Sequence, residues 1–228
     1  MPPLRPVHHK RERMPTVTLL SNSHAESAAE TVAVGTATTD TFVYVAADHA
    51  LAQPLLEELE REYEARYGTF FGEPASAEIH RYPTSDFAAP HGAFVVLLRD
   101  GVPIAGGAFK RFDDHTAEFK RIWTSSAHRR QGLARRVVAE LEAESQRRGY
   151  SRVYLTTGPR QPEAKSLYLD TGYTPLFDTT LTPEQVVIHG FAKTLDGREL
   201  DITSITAAHL DSLGSFHDEG AGHDNHDS

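Results

Sequence analysis

Residues 117–150 constrain this chain more tightly than any other stretch. They open with Phe119-Lys120-Arg121-Ile122-Trp123-Thr124, an apolar-rich run short enough for one strand. A polar connection covers residues 125–130. Gly132-Leu133-Ala134 then opens a helix whose Leu133, Val137, Val138 and Leu141 recur at helical spacing, giving it one buried face. Gly149 stops it.

A strand, an arginine-bearing loop and a helix that starts on small residues have the makings of an anion site. The first turn of a helix has N–H groups without intrahelical partners, and the macrodipole adds partial positive charge there. Gly132 and Ala134 leave those donors open to a phosphate, while Arg129, Arg130 and Arg135 raise the local potential. On these residues alone, a solvated arginine face before an ordinary helix is an equal alternative.

The spacing Arg129-x-x-Gly132-x-Ala134 after a strand resembles the (Gln/Arg)-x-x-Gly-x-(Gly/Ala) signature of the GCN5-related N-acetyltransferase (GNAT) family. A second segment, Ala164-Lys165-Ser166-Leu167-Tyr168-Leu169-Asp170-Thr171-Gly172-Tyr173, is similar to that family's Ala-x-x-Leu-Tyr-x-x-x-Gly-(Phe/Tyr) motif. The resemblance implies acetyl-coenzyme A as co-substrate. Its pyrophosphate would bind at Arg129, Arg130, Gln131, Gly132, Leu133, Ala134 and Arg135, and its pantetheine arm along the backbone of Ile122, Trp123 and Thr124. It also implies Tyr168 as the acid that protonates the departing thiolate, and a phenol stays protonated at neutral pH. Glu118 lies fourteen residues before Gly132, where the histone-acetylating branch of the family has its glutamate base. Burial would raise a carboxylate toward the working range; the alternative is a glutamate paired with Lys120 or Arg121. Tyr168 has its own alternative as a core aromatic. Many relatives carry Asn near Gln161, so the chain departs from the family there.

The rest of the chain has the element order the resemblance requires. Thr41-Phe42-Val43-Tyr44-Val45 suits a strand, and Asp48 is placed to cap a helix carrying Leu51, Leu55, Leu56, Leu59 and Tyr63 on one face. Residues 68–92 lack a period and read as one long loop. Residues 93–98 and 103–109 form a hairpin through Arg99-Asp100-Gly101. Residues 152–157 are a strand, 162–169 a helix, and 173–176 and 186–195 the closing strands, the latter open to shortening at Gly190. The expected fold is therefore α/β, with a mixed, mostly antiparallel central sheet flanked by helices. Its expected limits are 39–196, so a fragment covering residues 39–195 should bind cofactor as the full chain does. Residues 1–38 and 197–228 are polar or small-residue-rich and expected to be disordered, with one short helix at 206–213. Met14 is a second candidate start.

Composition narrows the function classes. There are no cysteines, which excludes disulfides, thiolate metal ligands and a covalent acyl-cysteine relay. No apolar run approaches a membrane span and no signal-peptide core precedes the domain, so a cytoplasmic location is expected. Net charge is −9, but Asp211, Asp218, Glu219, Asp224 and Asp227 all follow Leu210, and removing these five leaves −4. That balance, and arginines without interleaved aromatics, argue against nucleic acid. His217, His223 and His226 with the nearby aspartates have metal-binding chemistry but sit on the expected tail, and no metal is expected. The expected partner is an amine-bearing acceptor, a small molecule or a protein lysine or N-terminus, with a homodimer possible. Tyr63, Tyr67, Phe70, Phe71 and Phe87 are candidates to line its cleft. A non-catalytic acyl-CoA sensor and an acyltransferase for longer acyl chains are the competing readings.

Overall fold

The computed structural model describes residues 38–74 and 76–218, with side chains described to Leu213. The elements run β1 (Asp40–Tyr44), α1 (Gln53–Tyr67), α2 (Ala77–His80), β2 (Ala93–Arg99), β3 (Val102–Arg111), β4 (Thr116–Thr124) and α3 (Leu133–Arg147). After these come β5 (Arg152–Thr157), α4 (Pro162–Asp170), β6 (Thr174–Pro175), α5 (Pro183–Val186), β7 (His189–Thr194) and α6 (Ile202–Asp218). The strands form one sheet in the order β1-β2-β3-β4-β5-β7-β6. Every pairing is antiparallel except β4 with β5, which are joined through α3 and run parallel. This is the mixed, mostly antiparallel sheet expected from the sequence.

Alternation along each strand sends side chains to two different cores. Val95, Leu97, Phe109, Phe119, Val153, Leu155 and Phe191 face α3 and α4, where Val137, Val138, Leu141 and Tyr168 complete the cluster. Phe94, Val96, Ala108 and Trp123 face the other way and meet Leu55 and Leu59 of α1, Ile79 of α2 and Phe87. Two glycines let the layers approach. A Cβ on Gly106 would lie 2.5 Å from a Leu55 methyl of α1, and one on Gly107 would lie 3.0 Å from Leu141 Cδ1 of α3.

Four expectations need correction. Asp48 caps nothing: the chain makes tight turns over 46–52, and α1 starts at Gln53 with Pro54 in its first turn and no side-chain cap. Residues 68–92 are not structureless, because Ile79 of α2 and Phe87 of a 3₁₀ turn (Thr84–Phe87) are buried anchors. The last strand is shortened to His189–Thr194, preceded by α5, whose Thr182–Gln185 capping box a periodicity scan does not see.

The largest departure concerns residues 197–218. Asp201 Oδ1 accepts from the Ser204 amide at 3.0 Å and starts α6, which is longer than 206–213 and is packed on the sheet. Ile205 joins Tyr154, Leu176 and Ala192 in a third cluster. His209 is buried, and its Nδ1 lies 2.7 Å from the Tyr154 hydroxyl. Gly190 accommodates the ring, since a Cβ there would come within 2.8 Å of it. His223, His226, Asp224 and Asp227, the expected disordered N-terminal segment and Met14 lie outside the described residues.

Two expected results follow from α6. A chain ending at Leu195 loses the burial of Ile205, worth about 1.5–3 kcal/mol, and one buried hydrogen bond of about 1 kcal/mol. Its unfolding midpoint in urea should fall accordingly; an unchanged midpoint would show that α6 contributes nothing. Burial also lowers the pKa of His209. The unfolded chain therefore binds a proton that the folded chain resists, and stability falls as pH drops below about 6.5 toward the folded-state pKa. Thermal midpoints between pH 7.5 and 5.0 should decline more steeply for the wild type than for His209→Phe.

Candidate active site

The parallel β4–β5 pair is the structural origin of the site. Its register runs from Thr116↔Arg152 to Phe119↔Leu155 and stops, although β4 continues to Thr124 and β5 to Thr157. The strands thus splay apart, and the β5-facing edge of β4 is left without a partner strand beyond Phe119. A cavity of about 1350 Å³ fills the gap and extends over α1 and α2. Ile122, Trp123 and Thr124 line one side of it, and Thr156, Thr157 and Gly158 the other. Trp123 Nε1 and Thr124 Oγ1 are buried polar atoms with no hydrogen-bond partner among the described residues.

At one end of the cavity, the chain turns into α3. Arg130 (φ 61°) and Gly132 (φ 73°) are both left-handed, which curls the backbone so that successive N–H groups converge. The first intrahelical bond is donated by Arg136 to the Gly132 carbonyl, and no side chain caps the helix. The amides of Leu133, Ala134 and Arg135 are therefore left to an external acceptor. A Cβ on Gly132 would meet no protein atom within 4 Å, so a side chain there would occupy open cavity space. Arg129 lies 2.7 Å from Glu62, and Arg135 reaches the carbonyl of Asp170. This turn suits a phosphate, which would collect the free amides and compete for the arginines.

In the middle, Tyr168 of α4 packs on Tyr173 and Phe191 and also lines the cavity. It is both the core aromatic and the cavity residue that the sequence allows. Burial, helped by the neighbouring Tyr63 phenol, pushes its pKa well above the ordinary tyrosine range, so its proton is held. Tyr63 itself is pushed up to about 12, mainly by burial. Tyr67 closes this region: its hydroxyl accepts from the Arg160 amide at 3.2 Å, and Arg66 and Arg160 each donate to the other's backbone carbonyl.

Glu118 sits differently from a base facing the cavity. It is buried on the α1 side of the sheet, with Lys110 at 2.9 Å and Lys120 at 3.1 Å on its two oxygens. Burial alone raises its pKa, but Lys120 and Lys110 together outweigh that and hold the carboxyl below the usual range. The expected upward shift is thus reversed by the two lysines together, Lys120 on the same strand and Lys110 opposite Glu118 in the β3–β4 register. Glu118 is not among the cavity-lining residues; its neighbour Lys120 is. Burial favours the neutral amine in Lys120, yet Glu118 and Glu78 raise its pKa well above the ordinary value.

Of the residues expected to hold the cofactor, Ile122, Trp123, Thr124, Arg129, Arg130, Gly132, Leu133, Ala134 and Arg135 all line the cavity. Gln131 does not, and its Oε1 instead accepts from Arg99 at 2.8 Å. Tyr63, Tyr67 and Phe71 line it too, whereas Phe87 is core and Phe70 stacks outside under Arg160. Sequence reasoning missed Glu78, Tyr82, Arg121 and Leu213 as lining residues. The one signal for them was Lys120-Arg121, two adjacent cations inside an otherwise apolar strand.

Comparison with known proteins agrees with this geometry. Residues 53–173, more than half of the chain, match the model of the Acetyltransferase (GNAT) family. Over 77 residues the chain is 36% identical to the uncharacterized N-acetyltransferase YsnE of Bacillus subtilis (strain 168), a match covering 32% of this chain and 51% of that protein. The chain thus spans about half the length of that curated relative. A GNAT-family acetyltransferase from Staphylococcus aureus Mu50 superposes with a TM-score of 0.54 at 10% identity, covering 69% of this chain and 99% of the other. YncA of Salmonella typhimurium, solved with its cofactor acetyl-CoA, superposes with a TM-score of 0.51 at 16% identity, covering 71% and 97%. With the splayed β4–β5 pair, the uncapped arginine-flanked turn and a match over more than half its length, the chain belongs to the acetyltransferase (GNAT) family.

Proposed function

We propose that the protein is an acetyl-CoA-dependent N-acetyltransferase that transfers the acetyl group directly to an amine, with both substrates bound together. The observation that carries this reading is the single cavity that joins an anion-binding turn to the splayed strands and to an aromatic, charged second half. Its volume, about 1350 Å³, exceeds the roughly 300–1000 Å³ of an ordinary ligand pocket, as a site for a long cofactor and an acceptor requires. Acetyl-CoA bound to the Salmonella relative supports the choice of cofactor.

Acetyl-CoA would supply an acetyl group activated as a thioester. The free amides of Leu133, Ala134 and Arg135 would hold its pyrophosphate, with Arg129, Arg130 and Arg135 as counter-charges. The unpaired edge of β4 at Ile122, Trp123 and Thr124 would bind its pantetheine arm. As the acceptor nitrogen bonds to the acetyl carbon, the carbon–sulfur bond breaks, and Tyr168 Oη delivers a proton to the sulfur. The acceptor amine must lose its own proton first, and water in the open cavity takes it. Glu118 acts as a positioning residue: ionised between two lysines, it fixes Lys120 at the cavity wall.

The reading is tested by thiol release from acetyl-CoA in the presence of an amine panel. Amine-dependent release with intersecting initial-rate lines is expected; parallel lines or amine-independent release would refute direct transfer. Glu118→Gln should cost stability, on the order of 3 kcal/mol, because removing one partner leaves two lysines without it. As a positioning residue, it should lower turnover by a similar factor from pH 6.5 to 8.5. A loss that grows toward low pH would return Glu118 to the role of general base.

A further inference from the structure

Arg121 is held in an unusual way. In the β3–β4 register Lys120 pairs with Ala108 and Trp123 with Gly106, so Arg121 and Ile122 both lie opposite Gly107. This is a bulge on β4, and Arg121 takes its left-handed position at φ 58°, a conformation a non-glycine residue adopts at a cost. The bulge breaks the alternation of the strand. Ile122 turns to the α3 side, whereas Lys120 and Arg121 both turn to the α2 side, Lys120 onto Glu78 and Arg121 onto the Ile79 carbonyl. A regular strand would have sent these two cations to opposite faces.

The guanidinium is fixed but not neutralised. Its Nη2 donates to Ile79 O at 2.6 Å, and its Cζ lies 4.2 Å from the centre of the Phe87 ring. Among the described residues no carboxylate is paired with it. The nearby Glu78 is already taken: Lys120 is 3.0 Å from one of its oxygens and Arg81 is 3.0 Å from the other. Arg121 is half-buried and lines the same cavity as Tyr168, Tyr63 and Tyr82. A guanidinium held out of bulk water with donors to spare is matched by a planar, bidentate anion.

We infer that the acceptor carries a carboxylate beside its amine, as an amino acid does, and that Arg121 is the residue that binds it. This rests on the acetyltransferase reading above and names the class of acceptor for it. The bulge supplies the specificity by bringing a second cation to the acceptor side, while Lys120 is already balanced by Glu118 and Glu78. An acceptor bearing only positive charge would leave Arg121 without a counter-charge and be repelled by it.

The test uses binding, which does not depend on turnover. The full-length protein, saturated with CoA, is titrated calorimetrically with the N-acetyl derivatives of alanine, leucine, phenylalanine and lysine, and with the matching N-acetyl amides, which lack the carboxylate. Wild type should bind at least one acid about tenfold or more tightly than its amide, the loss expected when a charge-assisted pair is removed. Arg121→Met should abolish that preference. Arg121→Lys, which keeps the charge but not the fork, should retain part of it, and thermal midpoints establish that both variants fold. Equal binding of acid and amide throughout, or an unchanged preference in folded Arg121→Met, would overturn the inference alone. Failure of wild type to bind CoA in the preceding titration would instead overturn the acetyltransferase reading, and this inference with it.

Discussion

Replacing Gly132 by valine is expected to remove most of the thermal stabilisation that acetyl-CoA gives the wild type. A ligand that binds only the folded state at about 100 times its Kd adds roughly 2.7 kcal/mol. For a domain of this size that is a shift of about 5–10 °C. Gly132 is the left-handed residue at the start of α3 and lines the cavity. A β-branched residue there is strained by about 1–2 kcal/mol, and its methyl groups would stand in the open space before the free amides. The strain lowers the midpoint without ligand; the shielding removes the shift on adding ligand. The two effects separate in one experiment, and equal ligand shifts in both proteins would contradict the phosphate site.

Tyr168→Phe is expected to lower turnover by about 10²–10⁴-fold, the usual contribution of a positioned proton donor. The ring remains against Tyr173 and Phe191, so folding and cofactor binding should be nearly unchanged. The hydroxyl is an acid that keeps its proton across the working range, because burial raises its pKa. Its loss should therefore appear at every pH between 6 and 9, not as a shifted profile. Unchanged turnover, measured where the chemical step limits the rate, would remove Tyr168 from the mechanism and leave the fold and cofactor site standing.

What the sequence made legible follows from how local each feature is. The central strand and α3 were readable because Leu133, Val137, Val138 and Leu141 place one face in the core whatever packs against it. The anion turn was readable for the same reason: its donors are backbone amides, and only small residues at 132 and 134 leave them open. The acceptor half was not. Lys120 meets Glu78 across 42 residues, and Arg121 reaches its side of the sheet only because of a bulge that no periodicity encodes. Glu118 shows the cost of judging a group without its neighbours. Its burial was foreseeable, but the sign of its pKa shift depended on Lys120 and Lys110 acting together, the latter from the adjoining strand. The end of the chain was misjudged because composition there is dominated by small and polar residues. Among these, one apolar residue, Ile205, and one histidine, His209, meet a complementary surface at Tyr154 and Gly190, which is enough to dock a helix.

The central claim is that acetyl-CoA lies in the gap between β4 and β5, with its phosphates on the turn before α3. Backbone amide NMR of the full-length protein tests it in one titration. The account predicts that saturating acetyl-CoA moves the resonances of Ile122, Thr124, Gly132, Leu133, Ala134 and Arg135 most, while those of β1 and β2 stay in place. Shifts that bypass residues 132–135, or none at saturating ligand, would contradict it.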